Sequence, residues 1–297
     1  MKRFLNCFAS DLATVSREDL IQAIRASEGR VIMAENVVSC SSAIPDITNA
    51  EIVKSFGADL ILMNTLDVLQ PEIPGLGEAD NPIARVKELT GRPIGVNLEP
   101  VDLQAAMLEE RLELVRGRQV NEDSVKALGD LGFDFVCITG NPGTGVTNRT
   151  IAEAIAFTRE RYDGMIVAGK MHGAGSSDPI YDEKALLSFV EAGADCILIP
   201  SPGTVPGSTV ERCHQLVSQL KAKGVLTLGG LGTSQESSDI ATIQQIALYN
   251  KMAGFDMHHI GDAGFGGLAP YENIFELSKA VRGRRHTIRM ICASVKR

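Results

Sequence analysis

Eight short apolar runs punctuate the chain, at residues 31–34, 60–63, 93–97, 135–138, 165–169, 196–199, 225–228 and 255–260. They are rich in Ile, Val and Leu and lack polar alternation, the pattern of parallel strands covered on both faces. Between them lie segments with helical spacing, among them 49–56 and 122–128. Ser16, followed by Arg17-Glu18-Asp19 and then Leu20, Ile21, Ala23 and Ile24, predicts a capped helix that stops at Gly29. A helix in that position suits the plug of a barrel floor. An additional helix is expected over 103–115, ahead of the helix that leads to the fourth strand.

An internal repeat turns the strand count into a fold. Gly57-Ala58-Asp59, Gly132-Phe133-Asp134, Gly193-Ala194-Asp195 and Gly254-Phe255-Asp256 precede the second, fourth, sixth and eighth runs. Glycine supplies the left-handed residue that ends a helix, and the aspartate can bind loop amides at the strand's start. Four alternating pairs predict one α/β domain over 1–297, a closed (βα)8 TIM barrel with its core over about 30–282. An N-terminal extension (1–29) carries the early helix, and a basic C-terminal arm (283–297) follows the last barrel helix. The arm is expected to lie on the protein or a neighbouring subunit as an irregular segment or added strand. An anion-binding tail is the alternative. No first-strand turn carries Gly-x-Gly-x-x-Gly, which argues against an open dinucleotide-binding sheet.

Composition narrows the partners. The net charge of -8 argues against nucleic acid or an acidic membrane surface. No run reaches the roughly 18 apolar residues of a membrane span, and the first residues lack the apolar core of a signal peptide. The six cysteines show no Cys-x-x-Cys spacing, and Cys137 and Cys196 fall inside strand runs. That usage fits buried, reduced thiols and a cytoplasmic protein. A homo-oligomer stays open.

Barrel enzymes place their chemistry at the C-terminal ends of the strands. That rule selects Glu35 and Asn36, Asn64 and Asp67, Asn97 and Glu99, Thr139 and Asn141, Lys170 and His172, Ser201, and His258, His259 and Asp262. Alternation pairs Asn97 with Glu99, and Lys170 with His172, on one face each. Lys170 leaves an apolar strand, so it is expected to hold an anion, move a proton or form a Schiff base, or to bridge to Glu35 or Glu99 across the mouth. His172 is an acid/base candidate. His258 and His259 face opposite ways, and each is expected as a core or helix-facing histidine. Glu35 and Glu99, with Asn64 or Asn97, offer oxygen donors that suit Mg²⁺, and no cluster has zinc spacing. Loops 69–80 and 200–207, rich in Pro and Gly, read as covers over the same face.

Two segments carry a resemblance. Leu228-Gly229-Gly230-Leu231-Gly232-Thr233 and Ile260-Gly261-Asp262-Ala263-Gly264-Phe265 resemble the phosphate-binding (βα)8 barrels, the group that includes tryptophan and histidine biosynthesis barrels. The resemblance implies a phosphate held by Gly229, Gly230, Gly232, Thr233, Gly261 and Gly264, with Asp262 turned away from it. Ile138-Thr139-Gly140-Asn141-Pro142-Gly143-Thr144-Gly145-Val146-Thr147 is similar to a turn of the BtpA-like barrels, a family associated with photosystem I biogenesis. The stretch from Met33 to Ala43 resembles phosphoenolpyruvate phosphonomutase-like proteins, without that group's paired-Asp metal motif or its Lys-Lys-Cys-Gly-His loop.

The sequence therefore predicts an enzyme for a small phosphorylated metabolite, of lyase, isomerase or mutase type. Lys170, His172, Glu35, Glu99 and Asn97 form the expected catalytic set, and no motif demands a cofactor. The alternative is a non-catalytic barrel that binds a phosphometabolite as a sensor or assembly protein.

Overall fold

The apolar runs become β1 (Val31–Val37), β2 (Leu60–Asn64), β3 (Ile94–Leu98), β4 (Phe135–Ile138), β5 (Met165–Gly169), β6 (Cys196–Pro200), β7 (Leu226–Leu231) and β8 (Met257–Ile260). They are seen in a computed structural model that describes residues 2–262 and 267–297. Each strand pairs in parallel with the next in the chain, and β8 closes on β1 to complete an eight-stranded (βα)8 TIM barrel. The closing register sets Met33 opposite His259 and Ala34 opposite Ile260.

Side-chain alternation sorts each strand into two layers. Met33, Leu62, Phe135, Val167, Leu198 and Leu228 fill the lumen. Ile32, Ile61, Val136, Ile166 and Ile197 pack outward on the helices. The N-terminal segment carries α1 (Ala9–Leu12) and α2 (Arg17–Arg25), the latter capped by Ser16 Oγ on the amide of Asp19. Phe4, Leu12, Leu20 and Ile24 join the lumen cluster and stop the barrel floor. The outer layer comprises α3 (Asn49–Ser55), α4 (Pro82–Thr90), α5 (Glu122–Leu131), α6 (Asn148–Arg159), α7 (Glu183–Glu191), α8 (Val210–Ala222), α9 (Ile240–Ala253) and α10 (Tyr271–Cys292).

The Gly-x-Asp repeat has a tertiary purpose. The carboxylates of Asp59, Asp134, Asp195 and Asp256 accept from the amides of Ile32, Ile94, Ile166 and Thr227 at 2.9, 2.8, 2.8 and 3.0 Å. Each aspartate at an even strand's start thus clamps the odd strand before it, rather than its own loop. A cation completes each clamp: Arg282 on Asp59, Lys87 on Asp134, Arg159 on Asp195 and Lys221 on Asp256. Burial pushes Asp134 and Asp195 above the usual carboxylate range, against the pull of Lys87 and Arg159.

Three segments differ from the sequence expectation. Residues 103–115 form no helix; they make an irregular strap whose amides reach neighbouring loops, Leu108 N to Gly175 O and Leu112 N to Gly143 O, both at 2.8 Å. α5 already fills the crossover to β4, so the strap's leucines have no strand face to cover, and Leu103 and Leu108 stay exposed. The C-terminal arm is helical: α10 runs past a break at Gly283 (φ 75°) and folds beneath the floor. There Met290 joins the lumen cluster, and Arg289 donates to the carbonyls of Leu5 (2.7 Å) and Asn6 (3.0 Å). Finally, β7 runs through Gly229 and Gly230 to Leu231, so those glycines belong to the strand and not to the turn beyond it. Gly264 lies outside the described residues. Among the described residues no helix is long and apolar enough to cross a membrane.

Candidate active site at the barrel mouth

The inward phase of β1, Val31 then Met33, brings Glu35 to the top of the lumen, and that of β8 brings His259 beside it. His259 Nε2 lies 2.7 Å from Glu35 Oε2, with both residues buried. Asn97, rising from β3, donates its Nδ2 to the other Glu35 oxygen at 3.2 Å. With its hydrogen on Nε2, His259 donates to the carboxylate and keeps Nδ1 as an acceptor. That Nδ1, Asn97 Oδ1 and Thr139 Oγ1 are buried without a protein partner. Buried polar atoms are nearly always satisfied; others without a protein partner, such as His258 Nδ1 and the amide of Asn250, lie away from the mouth.

Glu99 belongs to a second network. Arg118 Nη2 donates to its Oε1 at 2.6 Å, and Asn141 donates through Nδ2 to Oε1 (2.9 Å) and through its backbone to Oε2 (3.1 Å). Asn141 also exchanges amide hydrogen bonds with Asn64. Glu35 and Glu99 are therefore held by different partners. Among the described residues no three His, Cys, Asp or Glu side chains are grouped to hold a metal ion. Asn36 donates to Leu62 O at 3.2 Å and is a strand tie. His258 faces the other way from His259, with Nε2 2.8 Å from Gly29 O near the floor; burial lowers its pKa to about 4.

Lys170 and His172 sit at the rim, where the loops after β4 and β5 meet. Lys170 has the phase of Ile166 and Ala168, residues of the outer layer. Its partners are Ser176 Oγ (3.3 Å) and Asp178 Oδ2 (3.6 Å), not Glu35 or Glu99. Burial lowers its pKa, with Asp178 opposing. His172 accepts from the amide of Ala174 at Nδ1 (2.9 Å). Burial holds it below the usual imidazole value, with the charge of Glu35 opposing.

The glycines of β7 and β8 do unequal things. A Cβ on Gly229 would meet the amide group of Asn250 at 2.8 Å, so this glycine serves packing on α9. One on Gly230 would meet Met171 at 2.8 Å and Leu198 at 3.1 Å, on the lumen side. Gly261 gives its N–H to Leu231 O at 2.9 Å, and its Cβ position is 3.2 Å from Glu236 Oε1. A carboxylate therefore stands where the β8 half of an anion site would be. Thr233 takes a left-handed conformation (φ 60°) and donates Oγ1 to Thr204 O at 2.8 Å, tying the loop after β7 to that after β6.

Two cavities flank the mouth. One of about 680 Å³ lies between the loops after β1 and β2 and is lined by Ser39, Thr65, Asp67, Glu72 and Glu78 among others. Another of about 390 Å³ lies between the loops after β3, β4 and β5 and includes Asp102, Asn148, Arg149, Ser176 and Asp178. The strand-end rule selects His259 but assigns it to the core, and it does not select Arg118. His259 was legible as a strand-end residue in the same lumen phase as Met257; Arg118 left no signal, because its partner is set by the strap.

The chain belongs to the family described as "Domain of unknown function (DUF7916)", whose model matches residues 5–297. No curated protein matches the sequence significantly. Among solved structures, an archaeal fructose 1,6-bisphosphate aldolase is similar, with a TM-score of 0.53 and 14% identity over 86% of this chain and 95% of that one. A thiamine phosphate pyrophosphorylase from Pyrococcus furiosus gives 0.49 and 12% over 86% and 96%. At such identities the likeness is one of fold.

Proposed function

We propose that this DUF7916 barrel binds a small phosphorylated metabolite at the C-terminal mouth and moves a proton on it, in lyase, isomerase or mutase-type chemistry. The observation that carries the reading is the buried Glu35–His259 contact of 2.7 Å, with His259 Nδ1 and Asn97 Oδ1, the free ends of the two groups on Glu35, left unpartnered, as is Thr139 Oγ1 at the end of β4. In this reading Glu35 fixes the imidazole's tautomer and His259 Nδ1 takes the proton. Asn97 steadies the carboxylate, and His172 is the second acid/base group. Glu99, locked by Arg118 and Asn141, positions the loop after β4. The phosphate rests on the β7 side, over Gly230, Gly232 and Thr233; Gly229 and Gly261 are committed to packing and to Leu231. A phosphorylated sugar is the substrate named for the structurally similar aldolase, which agrees in ligand class. Mg²⁺ bound through Glu35 or Glu99 would require those side chains to leave their present partners. The free cysteines suit a reducing, cytoplasmic setting.

The test is a thermal-shift screen of phosphorylated metabolites, followed by NMR of each stabilising compound with the protein in D₂O. Proton exchange or conversion is expected with wild type and lost in Glu35→Gln and His259→Gln that still bind. Turnover at the wild-type rate in those variants would overturn the assignment.

A second reading is a non-catalytic phosphometabolite-binding assembly protein, like the BtpA-like family. The strap favours it: Leu103, Leu108, Leu112 and Val115 are all exposed and offer apolar surface to a protein. Binding without chemistry in the same experiment, and a partner lost on Leu108→Ser, would select this reading.

A further inference from the structure

Lys170 is 3% exposed, and the anion that compensates it comes from a surface loop of the same chain. Asp178 Oδ2 lies 3.6 Å from Lys170 Nζ, while Ser176 Oγ, from the same loop, lies 3.3 Å away. The same Asp178 oxygen accepts from the backbone of Asn148 at 2.7 Å, in the first turn of α6. One carboxylate, with its side chain 32% exposed, thus serves a buried ammonium and a helix start together. Beside them lies the cavity of about 390 Å³, with Thr147, Arg149 and Ser176 in its walls. The loop is held at other points. Ala174, in a left-handed conformation (φ 53°), accepts from the amide of Gly145 at 2.9 Å. Ser176 also bridges Met107 of the strap.

We propose that Asp178 is an internal stand-in for a ligand oxyanion, latching the 171–182 loop shut over Lys170 until a phosphoryl group replaces it. A phosphoryl group can accept from Lys170 Nζ and the Asn148 amide, the two donors that Asp178 Oδ2 now serves, carrying more charge than the carboxylate it displaces. Asp178 loses little on release, because it already meets solvent. Lys170 then acts as an anion contact at the β4–β5 rim, separate from the β7 glycines. The latch does not depend on Glu35 and His259 being the proton-transfer pair: Glu35→Gln leaves it intact.

The test titrates inorganic phosphate into the full chain as wild type, as Asp178→Asn, and as Asp178→Asn combined with Lys170→Gln. Calorimetry reads affinity, and hydrogen exchange reads the amides of 173–178. Asp178→Asn is expected to bind phosphate about tenfold more tightly than wild type, and the double variant to lose that gain. The loop amides should exchange faster in Asp178→Asn and, in wild type, on adding phosphate. Equal phosphate affinity in wild type and Asp178→Asn would overturn the latch, as would a gain in affinity that survives the loss of Lys170; binding over the β7 glycines is common to all three proteins and cancels in the comparison. If Asp178→Asn does not fold, the wild-type titration decides alone: loop exchange unchanged at saturating phosphate, or no phosphate binding, overturns it.

Discussion

His259 Nε2 meets Glu35 Oε2 at 2.7 Å across the seam where β8 closes on β1, joining residues 224 positions apart in the chain. Barrel closure alone makes this contact. If it is the proton-transfer pair, Glu35→Gln should lower kcat/KM on the compound found by screening by about 10²–10⁴, the usual worth of a positioned acid/base group. Ligand affinity should change far less. Steady-state kinetics beside calorimetry separates the two, and a matched loss of affinity and rate would show that Glu35 only binds.

The glycine pair of β7 should divide by face. Gly230→Val places a branched side chain against Met171 and Leu198 at the lumen top, so ligand binding is expected to fall at least tenfold while the fold persists. Gly229→Ala faces Asn250 instead and should cost stability, by about 1–3 kcal/mol for overpacking, with ligand affinity kept. Denaturation and ligand titration on both variants check the division. Equal loss of binding in the two would end the assignment of the phosphate to the β7 side.

The Asp59–Arg282 clamp is fully buried on both sides. Arg282 also donates to Ser278 Oγ and Gly57 O, at 2.9 and 2.6 Å. Asp59→Ala, or Arg282→Met, should each destabilise by about 3–5 kcal/mol, because either leaves a charge or its bonds uncompensated in the interior. The double variant should cost less than the sum of the singles. Additive losses in urea melts would mean that the two residues act independently.

Stability should fall in mild acid through His258. Burial holds its folded pKa at about 4, below 6.5 for the free imidazole, so the unfolded chain binds the proton first. The contribution is complete above pH 6.5 and drains away as pH falls toward 4, amounting to roughly 3 kcal/mol. His172, also depressed by burial, acts in the same sense. Asp134 and Asp195, raised by burial, act oppositely from their own lower window and are common to wild type and variant. The difference between wild type and His258→Gln, followed by urea melts from pH 7.5 to 4.5, should therefore shrink as pH falls. A constant difference would show that His258 does not titrate in this range.

The sequence by itself determined the strands, because runs such as Phe135–Ile138 and Met165–Gly169 are apolar on both faces and can only be buried parallel strands. It determined the barrel as well, since Gly-x-Asp at every second strand start marks a fourfold alternation that an open sheet lacks. It marked Glu35, Asn97 and Glu99 as mouth residues through strand phase. Tertiary structure decided how they are used. Glu35 is 62 residues from Asn97 and 224 from His259; strand phase separates His259 from His258, but only closure shows that the first bonds Glu35 and the second Gly29 O at the other end of the barrel. Lys170 paired with Asp178 rather than across the mouth because the loop after β5 folds back onto α6. Residues 103–115 gave up helical spacing for backbone bonds to Gly143 and Gly175, partners that exist only once β4 and β5 stand side by side. Periodicity reports which face of an element is buried; which charges meet above the barrel is set by closure and by loops whose bonding partners lie on other strands.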